Sequence, residues 1–312
     1  MTARGTVLVT GASGFIGPHL VRHLAANGWQ VRAAARGVQT GLMQPGVEVC
    51  TLPDLARIVW RPLLSGVTHV VHLAGIAHAA KELSADEYMK INAHSVRSLG
   101  EAARSAGIKR VVFLSSVRAQ TGPAAGEVLN ETMPPRPTDA YGRSKLAGEQ
   151  ALAEVLAGSA TSWVTLRPVL VYGPGVKRNM KSLFDLARSP WPLPLGSLKA
   201  KRSILTISNL SSAVAHALES DAAANGTYLV ADDAPVTMPE IIAALRAGMD
   251  RSPRMLPFPT LPIRWALRAA GQQKAAERLF GDLIVDTRAF RATGWQPVES
   301  TSAALASAIR SE

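Results

Sequence analysis

Cysteine is almost absent from this sequence. The chain has 312 residues and a single cysteine, Cys50. One thiol excludes a disulfide framework within the chain and argues against a metal site built from cysteine, so no metal site is predicted. A lone thiol also suits a reducing compartment.

Long apolar runs are absent as well. No segment approaches the ~20 continuous apolar residues that a membrane-spanning helix needs. The N-terminal stretch MTARGTVLVTGASG enters a predicted strand and a glycine loop at once, which leaves no room for the three parts of a signal peptide. The sequence therefore predicts a soluble protein of the cytoplasm without a membrane partner.

Aromatic residues (5%) and charged residues (18%) are scarce, whereas hydrophobic residues make up 47% of the chain. This composition is typical of a globular protein, and the length suffices for a substantial core. The charges that are present are unbalanced, with a net charge of +11. Such an excess fits an anionic partner: nucleic acid, an acidic membrane surface or an anionic small molecule.

Basic residues are concentrated between Val171 and Thr206. This segment has seven basic residues and one acid, Asp185, which gives +6. Nucleic-acid binders usually interleave such charge with aromatic stacking residues or carry a known module, whereas this segment is rich in Pro, Leu and Gly, so no nucleic-acid partner is predicted. For each basic residue, solvated surface charge is the alternative interpretation. The seven are Lys177, Arg178, Lys181, Arg188, Lys199, Lys201 and Arg202.

Short apolar strands alternate with amphipathic stretches in the first half of the chain. The alternation predicts an α/β fold with a doubly wound parallel sheet, the Rossmann arrangement. Strands are predicted at 6–10, 29–36, 68–75, 110–116 and 162–173, and helices at 14–28, 54–66, 84–107 and 139–158.

After about residue 170 the alternation becomes irregular and prolines cluster. A strand at 226–232 and helices around 209–220, 239–250 and 264–280 remain. We expect a dinucleotide-binding domain at 1–170 and a smaller substrate-binding region at 171–312. Part of that region, about 204–231, is expected to return to the first domain.

Three glycines follow the first predicted strand with the spacing GxxGxxG. Gly11, Gly14 and Gly17 lie where the strand turns into the first helix. Glycine lets the backbone turn tightly and approach a pyrophosphate, and the helix N-terminus supplies N–H groups. In this context the spacing predicts a dinucleotide site, with a packing turn as the alternative.

The end of the second strand selects the cofactor. A carboxylate there would bind the ribose hydroxyls of NAD, but this strand ends with Arg36. A guanidinium suits a 2′-phosphate, so NADP(H) is favoured and NAD is the alternative. Asp54, after the next short strand, is expected either to accept a bond from the adenine or to cap a helix.

Tyr141 and Lys145 are four residues apart in the predicted helix at 139–158. They therefore face the same way, and a lysine ammonium beside a phenol lowers its pKa. Such a tyrosine exchanges a proton with a substrate oxygen while hydride moves to or from a nicotinamide. Ser116 lies 25 residues before Tyr141, at the end of a strand, and would hold the same oxygen.

Together these motifs resemble an extended short-chain dehydrogenase/reductase of the NAD-dependent epimerase/dehydratase kind. The resemblance covers essentially the whole chain and rests on TGASGFIG, VVHLAG, FLSS, YGRSK and LRPVLVYGPG. It implies that Ser116, Tyr141 and Lys145 form the catalytic triad. The residues implied in cofactor binding are Gly11, Ser13, Gly14, Phe15, Ile16, Gly17, Arg36, Asp54, Leu55, Leu73, Ala74, Gly75, Asn92, Tyr141, Lys145 and Pro168.

Three longer segments are similar to bacterial UDP-sugar 4-ketoreductases and 4-epimerases of surface-polysaccharide synthesis. They begin at Val171, Arg202 and Glu277. This resemblance implies a UDP-sugar substrate, whose two phosphates would match the basic segment. The residues implied in substrate binding are His78, Ser116, Arg118, Asn179, Leu195, Gly196, Arg202 and Arg278, with Gln120 as a further sugar-pocket candidate; for His78, Arg118 and Gln120 an ordinary loop role is the alternative.

Departures from the family pattern favour a reductase. Leu170 stands where many 4-epimerases have asparagine, and Arg36 replaces the acid that selects NAD. Val117 and Arg118 follow Ser116 where dehydratases carry an Asp–Glu pair, which argues against dehydration. The sequence thus predicts NADPH-dependent reduction of a UDP-6-deoxy-4-keto-hexosamine.

Two alternatives are kept. One is a UDP-hexose 4-epimerase with tightly bound NAD, and the other is a catalytically silent, NADP-sensing or scaffold protein. The family often forms homodimers through two helices per subunit. Here the helices at 85–106 and 140–157 are the candidates, and packing of their faces within the monomer is the alternative.

Overall fold

The centre of the molecule is a parallel sheet of seven strands. The computed structural model describes residues 4–37, 40–76, 83–176 and 179–310. The strand order is β10-β6-β5-β4-β1-β2-β3, and every neighbouring pair is parallel. The bounds are β1 Thr6–Thr10, β2 Gln30–Ala35, β3 Val47–Thr51, β4 His69–His72, β5 Arg110–Leu114, β6 Ser162–Pro168 and β10 Gly226–Val230.

Four shorter strands form two small pairs outside this sheet. β7 (Leu170–Tyr172) pairs with β9 (Ile204–Thr206) in parallel, and β8 (Lys201–Arg202) pairs with β11 (Val236–Thr237) in antiparallel fashion. The predicted strand at 162–173 is therefore two strands, because the chain leaves the main sheet after Pro168.

Helices cover both faces of the sheet, which confirms the doubly wound fold. The sheet packs with α1 and α7 in one apolar cluster and with α2, α4 and α5 in another. The bounds are α1 Gly17–Ala26, α2 Arg61–Leu64, α3 Ala85–Met89, α4 Ser95–Ser105, α5 Ala140–Leu156, α6 Asn179–Arg188, α7 Ile207–Glu219, α8 Met238–Ala247, α9 Thr260–Ala269, α10 Gln273–Phe280, α11 Arg288–Ala292 and α12 Thr301–Arg310.

Local capping signals position the helices that carry the site. Ser84 and Glu87 form a capping box before α3, and a π-helical segment, Lys90–His94, connects α3 to α4. The Asp139 carboxylate accepts a hydrogen bond of 2.7 Å from the Gly142 N–H at the start of α5. Both helices begin within one residue of the starts predicted from the sequence, 84 and 139.

Two predicted helices were wrong in extent. The helix expected over 54–66 is only α2, because the Asp54 carboxylate caps a turn through the Ala56 N–H (3.0 Å) and Pro62 lies in the first turn of α2. The helix expected over 264–280 is interrupted between α9 and α10, where Gly271 has a φ of +69°.

The C-terminal half contributes to two cores. One separate apolar cluster joins α6, α8 and α12, with Phe184, Ile242 and Leu305 buried in it. Other segments pack back onto the main sheet: β10 forms its edge, and Phe290 and Trp295 are buried in the same cluster as α1 and α7. Among the described residues, no helix has the length and apolar character needed to cross a bilayer.

Candidate active site

The glycine loop between β1 and α1 is shaped for close backbone approach. Gly11 has a φ of +71°, and a Cβ built there would lie 2.8 Å from the Ala74 nitrogen. A Cβ on Gly17 would overlap the carbonyl of Ala12. The Gly14 N–H donates to the Gly11 carbonyl at 2.9 Å, which closes the turn. Only glycines leave this cradle open at the N-terminus of α1, and a pyrophosphate fits it.

The loop after β4 forms the next part of the predicted dinucleotide site. Asn92 is buried in the π-helical segment and holds the Ile76 backbone by two bonds: its Oδ1 accepts from the Ile76 N–H (2.8 Å), and its Nδ2 donates to the Ile76 carbonyl (2.9 Å). A Cβ on Gly75 would lie 2.8 Å from Asn92 Oδ1 and 3.6 Å from Lys145 Nζ. Thus Leu73, Ala74 and Gly75 pass between the glycine loop and α5.

Arg36 lies directly after β2 and is exposed at the carboxyl edge of the sheet. No carboxylate follows β2 in the described part of that loop, since Arg36 and Gly37 are its only described residues before residue 40. Asp54 is exposed and caps the turn described above, and Leu55 packs partly against the α2–α4–α5 cluster. Asp54 therefore has a capping role of its own.

Ser116 and Tyr141 meet at the end of β5. Ser116 begins a short 3-10 turn, and its hydroxyl accepts from the Arg118 N–H at 3.1 Å. Burial raises the pKa of Tyr141 to about 12, while a hydrogen bond with Ser116 and the charge of Arg118 act in the opposite direction. The phenol is therefore protonated at neutral pH, the form in which a general acid is needed.

Lys145 lies one helical turn after Tyr141 and is buried. Its ammonium donates to the Leu114 carbonyl at 2.8 Å and lies 4.6 Å from the centre of the Phe113 ring. Burial lowers the pKa of Lys145 to about 8, and the Glu149 carboxylate opposes this shift. The ammonium thus connects α5 to β5, next to Gly75, where the predicted cofactor site begins. Its tuning of the Tyr141 phenol remains a prediction.

A buried ionic network beneath the triad was not predicted. Glu149 and Arg167 form a salt bridge with both side chains almost fully buried, and Arg167 Nε lies 3.0 Å from Glu149 Oε1. Ser115 donates to the same carboxylate, and Arg167 donates to the Gln120 side chain. The sequence signal that could have found it is the i+4 spacing of Glu149 from Lys145 on α5.

This network corrects one expectation. Gln120 is buried, and its amide donates to the Met133 carbonyl at 2.9 Å while its oxygen accepts from Arg167. Its hydrogen-bonding groups serve the core under the site, so Gln120 has a structural role and is not a sugar-pocket residue.

Three arginines of the predicted substrate site converge. Burial lowers the pKa of Arg202, the charges of Arg278 and Arg118 lower it further, and the Asp282 carboxylate opposes this shift. Arg118 pairs with Asp139 at 2.6 Å, but its Nη1 is buried and has no hydrogen-bond partner among the described residues. A buried unpaired cationic donor is costly, and an anionic ligand would remove that cost.

Arg202 is held by backbone carbonyls. Its guanidinium donates to the carbonyls of Arg278 and Gly281 (both 3.1 Å) and of Pro123 (2.9 Å). These bonds fix β8 against α10 and the loop at Pro123. Arg202 therefore lies between α10 and the loop at Pro123, with the Asp282 carboxylate opposing the charges of Arg278 and Arg118.

The other predicted site residues lie on several different elements. Leu195 and Gly196 lie in a turn, and a Cβ on Gly196 would lie 2.9 Å from the Leu256 carbonyl. Asn179 is the first residue of α6. His78 lies outside the described residues. Pro168, which was predicted to bind the cofactor, is buried at the end of β6.

One aromatic residue near the triad was missed by sequence reasoning. The ring centres of Tyr88 and Tyr141 are 6.2 Å apart. Tyr88 lies on α3, which the sequence merged into one long helix, and no spacing relates it to α5. Its position beside the phenol makes it a candidate wall of the reaction site.

Comparison with known proteins agrees with this geometry. The model of the NAD dependent epimerase/dehydratase family matches residues 7–231. The chain belongs to this family. A UDP-glucose 4-epimerase of Vibrio cholerae is 31% identical over 305 residues, covering 95% of this chain and 92% of the relative. A 2-alkyl-3-oxoalkanoate reductase of Stenotrophomonas maltophilia is 30% identical over 271 residues, covering 81% of this chain and 79% of the relative.

A solved structure gives the same result at the level of the fold. MoeE5 in complex with UDP-glucose and NAD is similar with a TM-score of 0.74 and 26% identity, covering 98% of both chains. These findings confirm the predicted family, the fold class and an enzymatic role. This member of the family is thus an enzyme that uses a nicotinamide cofactor.

Proposed function

We propose that this enzyme reduces the 4-keto group of a UDP-6-deoxy-4-keto-hexosamine with NADPH. The observation that carries the proposal is Arg36, which stands at the end of β2 in place of a carboxylate. A guanidinium complements the 2′-phosphate of NADPH, and NAD lacks that group. A reductase also needs a cofactor that arrives reduced and leaves oxidised, which an exchangeable NADPH provides.

The glycine loop, the 73–75 turn and Asn92 would hold the dinucleotide. When bound, the cofactor supplies the hydride. The protein supplies the proton: Tyr141 is protonated at neutral pH and would donate from its hydroxyl to the sugar oxygen. Ser116 would orient that oxygen, and the Lys145 ammonium would bind the ribose and stabilise the phenolate that forms.

The arginine cluster supports a UDP-sugar. Arg118, Arg202 and Arg278 place several positive charges near one another, and a diphosphate carries charge of the opposite sign. The buried, unpaired Nη1 of Arg118 offers a donor for such a group or for the sugar. Named relatives point the same way, since MoeE5 binds UDP-glucose and the Vibrio cholerae protein is a UDP-glucose 4-epimerase.

A UDP-hexose 4-epimerase with tightly bound NAD is the second candidate. It is favoured by the name of the Vibrio cholerae relative and by NAD in the MoeE5 complex. It is disfavoured by Arg36 and by Leu170, the residue where many 4-epimerases have asparagine.

Cofactor selectivity tests the proposal. The purified protein is denatured to identify any released nucleotide, and the apoprotein is titrated with NADPH and NADH. We expect exchangeable binding that prefers NADPH, and Arg36→Glu should weaken NADPH binding by roughly 10- to 100-fold, because a charge-assisted contact is lost. Arg57→Gln, which removes an exposed arginine after Asp54, is the control. Tightly bound NAD with cofactor-free turnover of UDP-hexose would favour the epimerase instead.

A further inference from the structure

Helix α9 has no buried residue along its whole length. Leu261 and Trp265 are four residues apart, so they share one face, and they are 66% and 73% exposed. A surface helix of a globular protein normally buries its apolar face against the core. Here Leu261 and Trp265 are turned to solvent, while Ile263 and Leu267 are half-buried.

The exposed apolar surface continues beyond the helix. The backbone at 254–256 lies beside Leu193. The Leu193 N–H donates to the Arg254 carbonyl (3.0 Å), and the Leu256 N–H donates to the Leu193 carbonyl (2.9 Å). Large exposed side chains therefore lie on segments that adjoin in space or follow one another in sequence. We call this set the apolar patch: Trp191 (74% exposed), Leu256 (52%), Phe258 (42%), Leu261 and Trp265.

The segments that carry the patch are rich in positive charge. Between Asp250 and Glu277 the sequence has no acidic residue and five basic ones. Four of them, Arg251, Arg254, Arg264 and Arg268, are exposed, and within the described part of the chain none forms an ion pair with a carboxylate.

The combination of exposed apolar side chains and arginines indicates what kind of partner would bind this patch. Tryptophan and leucine beside arginine are typical of surfaces that lie in the headgroup region of a membrane, where the rings enter the boundary and the guanidinium groups meet phosphates. A second copy of this chain would bring the same positive charges face to face, which opposes association through this patch.

We propose that α9 and the adjoining segments at 191 and 254–258 dock this protein peripherally on an anionic lipid surface. The inference is independent of the proposed reaction, because none of the patch residues belongs to the cofactor or substrate residues named above. The proposed binding does not involve a helix that spans the membrane. Helix α9 has ten residues, too few to cross a bilayer, and would lie in the plane of the interface.

Vesicle co-sedimentation of the whole 312-residue chain tests this proposal. Vesicles of phosphatidylcholine alone are compared with vesicles of phosphatidylcholine and phosphatidylglycerol, at low and high salt. We expect binding to the anionic vesicles only, weaker at high salt. The double variant Leu261→Ser/Trp265→Ser should lose binding. The double variant Arg264→Gln/Arg268→Gln should bind the anionic vesicles more weakly, by about fivefold for each arginine removed. A fivefold change in affinity is the equivalent of about 1 kcal/mol.

Matched controls remove similar groups elsewhere. Val59→Ser/Val298→Ser replaces side chains that are 68% and 65% exposed, and Arg57→Gln/Arg61→Gln removes two exposed arginines. Both controls should bind as the unchanged protein does, and thermal unfolding should show that all variants are folded. The proposal is overturned if the unchanged protein ignores anionic vesicles, or if the controls weaken binding as much as the patch variants. It is also overturned if sedimentation equilibrium shows a dimer that Leu261→Ser/Trp265→Ser dissociates.

Discussion

Burial sets the protonation state of the residue on which the proposed chemistry depends. The pKa of Tyr141 is raised to about 12, so the phenol is a proton donor over the physiological range. Replacing Tyr141 by phenylalanine removes this donor and leaves the ring. We expect turnover to fall by about 10² or more with little change in stability, since general acid catalysis is lost.

Steady-state kinetics with the 4-keto sugar measures this effect. Tyr228→Phe is the control, because Tyr228 lies on the edge strand β10 and packs on Phe290. It should keep the turnover of the unchanged enzyme. If Tyr141→Phe were equally active, Tyr141 would not be the proton donor.

His72 gives the molecule an acid-sensitive residue. It is fully buried, its Nδ1 lies 2.9 Å from Thr10 Oγ1, and burial together with the Lys145 charge lowers its pKa to about 3. An unfolded histidine binds its proton near pH 6.5, so the unfolded state binds more protons between pH 6.5 and 3. Stability is therefore lost as pH falls through this window.

Substituting His72 by leucine should flatten this pH dependence. Between pH 7 and 4.5 the unchanged protein should lose about 2.5 kcal/mol more unfolding free energy than His72→Leu, from 1.36 kcal/mol per pH unit below 6.5. Urea unfolding at the two pH values measures the difference, and the contributions of the carboxylates cancel in the comparison. Identical pH dependence in both proteins would show that His72 titrates normally.

At the scale of elements, the turn from β1 to α1 depends on space as well as on backbone conformation. Gly11 and Gly28 both have positive φ, +71° and +85°. A Cβ on Gly11 meets the Ala74 backbone at 2.8 Å, whereas a Cβ on Gly28 meets nothing within 4 Å. Alanine substitutions at these two glycines therefore distinguish the cost of backbone strain from the cost of steric overlap.

Gly11→Ala should be more destabilising than Gly28→Ala. Both should cost about 1 kcal/mol for the left-handed conformation, and Gly11→Ala should cost a further 1–3 kcal/mol because β1 and the β4 loop must separate. Denaturant unfolding gives the two values, and titration with the nicotinamide cofactor should show weakened binding for Gly11→Ala only. Equal losses of stability would mean that the overlap relaxes without cost.

At the scale of the whole molecule, the two halves of the chain share one core. Phe290 and Trp295 are buried against the same sheet as the N-terminal α1, and the Asn209 side chain bonds the backbone at Val298 and Glu299. The match to the family model ends at 231, before Phe290, Trp295, Val298 and Glu299.

A chain shortened to end at Ala231 should therefore fail to fold cooperatively. Loss of a buried Phe or Trp side chain alone costs about 3–5 kcal/mol, and a domain of this kind is stable by only about 5–15 kcal/mol. Circular dichroism during thermal unfolding measures this, with a chain ending at Arg310 as the control. A sharp transition in the shorter chain would show that residues 1–231 form an independent domain.

Much of the fold was predictable because its signals are short-range. The helix ends at Ser84 and Asp139 follow from capping within one turn, and the parallel sheet follows from the alternation of apolar strands and helices. The segment at 54–66 was predicted wrongly for the same reason: Asp54 and Pro62 are both compatible with a helix start, and only one of them begins a helix.

In the candidate site, too, local features were predicted from the sequence and long-range contacts were missed. Its glycine loop and the pair of Tyr141 and Lys145 were predicted from spacing that reflects one turn or one helical face, and Ser116 was predicted from its place at the end of a strand. The salt bridge of Glu149 with Arg167 and the position of Tyr88 were missed, because each contact joins elements whose proximity depends on strand order.

The sequence by itself determined the turn at Gly11, the shared helical face of Tyr141 and Lys145, and Arg36 at the end of a strand. Local backbone geometry is enough to dictate all three. The tertiary structure alone decided that Glu149 pairs with Arg167, that the charges of Arg118 and Arg278 act on Arg202, and that α9 buries none of its residues. The physical reason is that burial and charge clustering depend on segments far apart in the chain, which only the packed fold brings together.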